Sequence, residues 1–197
     1  MSNIAGPYGL VPVADQIGIP RPVRMPGGIV SGYATNIFKY APVVLEPVTG
    51  TLQALTTTAQ KVWGVFSGVE YTPLGGRPTE STFWPGGTTV DTNFDFFVYF
   101  WPAWTGTVRF AIQADGSVPQ GGMGSQYNFT NIGAGNTVTG LSAMTVGAAG
   151  VAAGVQGQVA MYEFNTTINS AIGDAFTDLI VGVAYPQIIG GFQTSIG

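Results

Sequence analysis

The chain has no cysteine and no histidine, and only 8% of its 197 residues are charged. Without cysteine there is no disulfide, no thiolate nucleophile and no cysteine-ligated metal. Without histidine the commonest general base and the usual zinc site are both missing. The charged fraction is about a third of the usual ~25%. Six basic and ten acidic residues leave a net charge of −4. No basic residues cluster beyond the pair Arg21 and Arg24. A phosphate-tracking groove is therefore not expected, and nucleic acid is excluded as a partner. No apolar run approaches the ~20 residues that cross a bilayer, so no membrane partner is expected. The small-residue stretch from Ala143 to Val155 is too short and too rich in glycine. The opening Met1-Ser2-Asn3-Ile4-Ala5-Gly6 has no basic segment followed by an apolar run, so no signal peptide is expected. A freely soluble monomer normally carries more surface charge. Much of this surface is expected to be neutral and polar, or covered by other protein.

The chain is nevertheless rich in material for a core. Its apolar fraction is 45%, and 30 glycines and 13 prolines are spread along its length. A compact domain of this size buries roughly 70% of the surface its unfolded chain exposes. No amphipathic helical period runs beyond about ten residues. Many short β-prone runs separated by turn residues predict an all-β fold: an antiparallel β-sandwich or barrel, jelly-roll-like.

The central stretch runs from Asn93 to Ala114. Two β-prone runs flank a short loop holding Pro102 and Gly106, which predicts a β-hairpin. In the second run Val108, Phe110 and Ile112 face one way, and Thr107, Arg109 and Gln113 the other. The first run is apolar on one face (Phe94, Phe96, Val98, Phe100) and aromatic on the other (Phe97, Tyr99, Trp101). Such a strand is expected to be buried on both sides, in a sandwich core or under another chain. Its aromatics fill the chain's own core on the simplest reading. On a second reading Tyr99, Trp101 and Trp104 also dock a partner.

Residues 1 to 30 hold Pro7, Pro12, Pro20, Pro22 and Pro26 and read as an extended N-terminal arm. Tyr8, Leu10, Val11, Val13, Ile17 and Ile19 are too apolar for a solvated tail, so the arm is expected to lie along a neighbouring molecule. Residues 31 to 197 then form a single β domain whose core begins near Ile29. Its strands are expected at Gly32 to Phe38, Pro42 to Leu45, Thr51 to Thr56, Lys61 to Tyr71, Ser81 to Trp84, Gln158 to Phe164 and Ala175 to Tyr185. In the Lys61 run, Trp63, Val65, Val69 and Tyr71 share a face opposite Gly64 and Gly68, a glycine pattern that marks a bulge or a close backbone approach. From 116 to 157 the chain is Gly-, Ser- and Thr-rich. Long ordered loops with short edge strands are expected there, anchored by Tyr127-Asn128-Phe129 and Leu141-Ser142-Ala143-Met144.

Little here carries chemistry. The acids Glu70, Glu80, Asp91, Asp95, Asp115, Glu163, Asp174 and Asp178 are scattered, and two-carboxylate hydrolysis would need two of them to face one cleft, as Asp91 and Asp95 could. Turn capping and pairing with Arg or Lys is their ordinary role. No loop gathers the carboxylates of a calcium site. The runs Gly121-Gly122-Met123-Gly124-Ser125 and Gly133-Ala134-Gly135-Asn136 lack the Lys-Ser/Thr of a phosphate loop and read as turns. The sequons at Asn128 and Asn165 carry no weight without a secretory signal. No histidine is present to activate a serine or threonine. No catalysis, cofactor or metal is expected.

Several segments resemble a family. They are Ala5-Gly6-Pro7-Tyr8-Gly9-Leu10-Val11-Pro12-Val13, Ser31-Gly32-Tyr33-Ala34-Thr35-Asn36-Ile37-Phe38 with Pro42-Val43-Val44, and Gly64-Val65-Phe66-Ser67-Gly68-Val69-Glu70-Tyr71. Phe83-Trp84-Pro85, Phe110-Ala111-Ile112-Gln113-Ala114-Asp115-Gly116 and Gly173-Asp174-Ala175-Phe176-Thr177-Asp178-Leu179 belong with them. Together they are similar to the head cement, or decoration, proteins of tailed bacteriophages, except at Val11, where a basic residue is common in that family. The resemblance implies a structural virion protein on the outer surface of the capsid. It would clamp neighbouring major capsid proteins against the pressure of packaged DNA. It would act as a homo-trimer at local three-fold positions, with a dimer at two-folds as the runner-up. Contact residues would come from the arm (Tyr8, Leu10, Arg21, Arg24) and from the hairpin loop (Trp101, Trp104). Rival readings are a carbohydrate-binding module stacking sugars on Trp84, Trp101 and Trp104, a virion protein of the tail or collar, and a hydrolase that depends on Asp95.

Overall fold

The computed structural model describes residues 4–13, 18, 20–104, 107–166 and 170–187. The fold is all-β, and among the described residues the only helical turn is a 3-10 turn at Gln120–Gly122. Two antiparallel sheets carry the structure. The first contains β1 (Val11–Val13), β8 (Arg109–Gln113), β15 (Asp178–Val183), β14 (Val159–Phe164) and β9 (Gln126–Tyr127), in the order β1-β8-β15-β14-β9. The second contains β2 (Val23–Pro26), β7 (Phe97–Pro102), β5 (Gly64–Tyr71), β3 (Pro42–Glu46) and β4 (Thr51–Ala54), in the order β2-β7-β5-β3-β4, with β6 (Thr79–Ser81) paired to β5. Two small two-stranded ribbons complete the set: β10 (Phe129–Thr130) with β13 (Thr145–Val146), and β11 (Gly135–Asn136) with β12 (Leu141–Ser142).

The sheets face each other across one apolar cluster. Phe110, Ile112, Val159, Met161, Leu179 and Val181 enter it from the first sheet; Val44, Val65 and Trp101 enter from the second. Strict alternation in β8 and β15 produces the first set, because a pleated strand sends every other side chain to the same face. A second cluster lies on the far side of the second sheet. There Val43, Leu45, Leu52, Phe66, Val98 and Phe100 are covered by Ile29, Ile37 and Trp84 from the connecting loops. β7 is buried on both faces only towards its Trp101 end: Val98 and Phe100 go one way and Trp101 the other, whereas Phe97 and Tyr99, expected to be buried with Trp101, are half-buried.

The predicted hairpin over 93–114 does not form. β7 pairs with β2 and β5, whereas β8 pairs with β1 and β15, so the link between them crosses from one sheet to the other. The physical reason is the double-sided apolar character of β7. A central strand of a covered sheet buries both its faces, which a partly solvated hairpin does not. Phe94 and Phe96 lie outside the strand; Phe94 is exposed and Phe96 rests on Trp84.

β5 carries the irregularity that its glycines predict, a register shift between Phe66 and Gly68. The shift flips the face. Val65 joins the inter-sheet cluster while Phe66, Val69 and Tyr71 join the other, so Val65 does not share a face with Val69 and Tyr71. Gly64 lets β7 approach closely: a Cβ there would sit 2.7 Å from the Trp101 carbonyl oxygen. No strand spans 32–38; Ile37 makes a single bridge to Trp84. The region 116–157 is the expected set of ordered loops and short strands, held by buried Tyr127, Phe129, Met144 and Val146. Leu141, expected as an anchor, is partly exposed.

The arm is extended, but it lies on its own chain. β1 is an edge strand of the first sheet and β2 an edge strand of the second. The core therefore begins at Leu10, which is 0% exposed, rather than near Ile29. Ile17, Ile19 and the tail from Gly190 lie outside the described residues.

Candidate docking surface

The six candidate contact residues divide into two groups. Tyr8, Leu10 and Trp101 are used internally. The Tyr8 hydroxyl donates to Asp178 Oδ1 at 3.1 Å. Burial first, then the Asp178 charge, push its pKa well above the ordinary phenol range. Gly6 N donates to Gln113 Oε1 at 2.8 Å, and Leu10 N to the Tyr40 carbonyl at 2.8 Å. Gly9, between them, has φ +72, and a Cβ there would lie 2.6 Å from the Tyr40 carbonyl oxygen. The segment that opens the arm is thus a clasp across the first sheet. Trp101 is 7% exposed, stacks on Tyr40 and donates its indole N–H to the Pro20 carbonyl at 3.2 Å. Its shape and its donor are both satisfied within the chain.

Arg21, Arg24 and Trp104 remain on the surface. The Arg24 guanidinium lies 3.4 Å above the Phe97 ring centroid. Trp104 is 38% exposed and leans on Trp63, with ring centroids 4.1 Å apart. The Trp63 indole nitrogen is buried without a hydrogen-bond partner among the described residues. Trp84, one of three rings that a sugar platform would use, is 0% exposed and donates its N–H to the Tyr33 carbonyl. With Trp84 and Trp101 both buried, the three-ring platform does not exist. Asp91 caps its own turn by accepting from Asn93 N and Nδ2.

A surface that the sequence did not announce is the open half of the second sheet. Trp101 packs into the cluster between the sheets, whereas Phe97 and Tyr99 of the same strand are half-buried and line surface hollows. A groove of about 520 Å³ lies there, lined among others by Pro22, Lys39, Gly68, Glu70, Glu80 and Tyr99. A second hollow of about 340 Å³ adjoins it through the shared Glu70 and Glu80 and extends to Asp95 and Phe97. The two glutamates are directly opposite each other on β5 and β6. Tyr99 donates to Glu70 Oε1 at 2.9 Å, and this bond is the main reason its hydroxyl stays protonated above the usual range. No cation lies within ion-pairing distance of Glu70, Glu80 or Asp95 among the described residues, whereas Arg109 and Glu163 pair at 4.0 Å on the first sheet. No metal-binding group of three His, Cys, Asp or Glu side chains occurs among the described residues. The pairing of Glu70 with Glu80 needs β6, and Thr79-Glu80-Ser81 is too short and polar to signal a strand.

Large apolar side chains are also exposed at Ile4, Val48, Leu74, Phe94, Met123 and Val138, among others. No helix of the described residues is long and apolar enough to cross a membrane. No protein-family model, curated protein or solved structure matches this chain.

Proposed function

We propose that the chain is a non-catalytic virion protein that docks on the outer surface of a tailed-phage capsid and ties neighbouring major capsid proteins together. The observation that supports this reading is the chemistry of the surface. Charged residues are 8% of the chain, yet large apolar side chains including Phe94, Trp104 and Leu74 stand exposed. Permanent protein contacts favour that composition, with aromatic and arginine side chains as anchors and few charges at the centre. The sequence resemblance to cement proteins supplies the partner.

The binding mode differs from the one first expected. Tyr8, Leu10 and Trp101 stiffen the subunit, so contact with the capsid falls to Trp104, Arg21, Arg24 and the open sheet face. A rigid β-sandwich suits a clamp, because two clusters of close-packed side chains resist deformation when the shell beneath expands. Copies associate as trimers around local three-folds.

Co-sedimentation tests the reading. The purified chain is mixed with expanded shells assembled from the major capsid protein of the same genome. The expected result is saturable binding, with hundreds of copies per particle. Saturation at about a dozen copies or fewer would instead place the chain in the tail or collar. Absence of binding to either would remove the virion reading.

A further inference from the structure

We propose that proline closes an outer edge of each sheet to strand addition, and that on β2 the strand so excluded is β2 of a second copy of this chain. The inference does not depend on the docking reading.

The hydrogen-bond register places the prolines. Gly27 N donates to the Phe96 carbonyl at 2.8 Å, which continues the register of β2 on β7 and makes these two residues a bonded pair. Successive residues of an antiparallel strand turn their N–H and C=O groups to alternate sides. Val23 and Met25 therefore bond β7, while Arg24 and Pro26, with Pro22 before them, turn their backbone groups outward. All three are exposed. A proline has no N–H. The outward row thus has a carbonyl at every position but a single donor, the Arg24 N–H, which has no partner among the described residues. β1 repeats the pattern. Ala114 N donates to the Thr177 carbonyl, so the even positions of β8 bond β15 and the odd ones bond β1. Val11 and Val13 lie opposite Ala111 and Arg109, and Pro12 between them turns to the free side. The other two outer strands are closed by bonds. β4 turns Leu52 N and Ala54 N outward, where the Gly28 carbonyl and the Tyr33 hydroxyl accept them at 2.6 and 3.0 Å. On β9 the Gln126 carbonyl accepts from Val151 N at 2.9 Å.

An open edge is a template for another strand, and folded proteins commonly guard it with charge, lysine above all. This chain is only 8% charged. Across β1, β2, β4 and β9 the one charged residue is Arg24, and its guanidinium lies over the Phe97 ring. Deleting donors guards an edge without charge. Antiparallel pairing of β2 with itself about a two-fold axis is isologous, so one change of sequence opens both partners at once.

Hydrogen exchange and sedimentation velocity of the free chain test the proposal. In the parent, the Arg24 amide is expected to be about a hundredfold less protected than the Met25 amide beside it. Equal protection would overturn the proposal, whatever the variants do. In P22T/P26T, two N–H groups return on residues that favour strands. The expected result is a concentration-dependent doubling of the parent's mass, with the amides at 22, 24 and 26 now protected. A variant that keeps the parent's mass over the same concentrations, or that associates while its Arg24 amide still exchanges fast, would overturn the proposal. Neither readout involves shells, so failure of shell binding would leave this inference standing and strike only the docking reading.

Discussion

Tyr8 and Asp178 are 170 positions apart in sequence and are joined by a hydrogen bond of 3.1 Å. The bond ties the opening segment to β15, the last strand of the described residues. With Gly6 on Gln113 and Leu10 on Tyr40, it makes the opening segment part of the subunit's own framework. In a cement protein such a framework would carry load from one capsid contact to another without stretching.

The burial of Tyr8, together with the Asp178 charge and the bond to it, should make stability sensitive to alkali. The Tyr8 pKa is raised in the folded state, so the folded form holds the phenolic proton more tightly than the unfolded form. The stabilisation is complete below the unfolded phenol value near 10. It is lost as pH rises from there towards the folded value. Urea melts between about pH 8 and 11 should show a steeper loss above the unfolded phenol value for the parent than for Tyr8→Phe. Equal slopes would mean that Tyr8 is not held buried beside Asp178 in solution.

Leu10→Ala should cost about 2–5 kcal/mol, the range for emptying a fully buried leucine site. Gly9→Ala should also destabilise, because the left-handed backbone and the Tyr40 carbonyl both oppose a Cβ. Denaturant unfolding measures both. An arm docked on a neighbour would instead leave the isolated subunit's stability unchanged.

The two tryptophans of the β7 end should separate by role. Trp101→Ala should lose about 3–5 kcal/mol of stability, as expected for a large buried ring. Trp104→Ala should cost less in stability and more in shell binding, because its ring is partly exposed beside Trp63. Thermal melts and co-sedimentation of the two variants provide the comparison.

Glu80→Gln should raise the melting temperature of the free subunit slightly, because it removes the like-charge pair with Glu70. The same change should weaken shell binding. A variant that loses stability would indicate that Glu80 is held by an internal cation.

The parts of the fold that were legible in the sequence are those where periodicity speaks for itself. β3, β5, β14 and β15 lie on predicted runs, and the bulge in β5 follows from its spaced glycines. The connection between β7 and β8 was not legible. Strands adjacent in sequence usually pair, and nothing local says that Trp101 and Ala103 turn into the inter-sheet core while β8 enters the other sheet. The arm misleads for a related reason. β1 and β2 are too short and too rich in proline to show a period, so their pairing is decided by distant strands. Of the candidate contacts, Arg21, Arg24 and Trp104 are where a docking residue must be, on the surface. The groove depends on a cross-strand juxtaposition, which a linear pattern does not display.

The central claim is that this chain strengthens a shell by binding it. Differential scanning calorimetry of expanded capsids, with and without saturating protein, tests it most directly. The predicted result is a capsid transition that moves to higher temperature in proportion to the sites filled, and less so with Trp104→Ala. An unchanged capsid transition at saturating protein would contradict it.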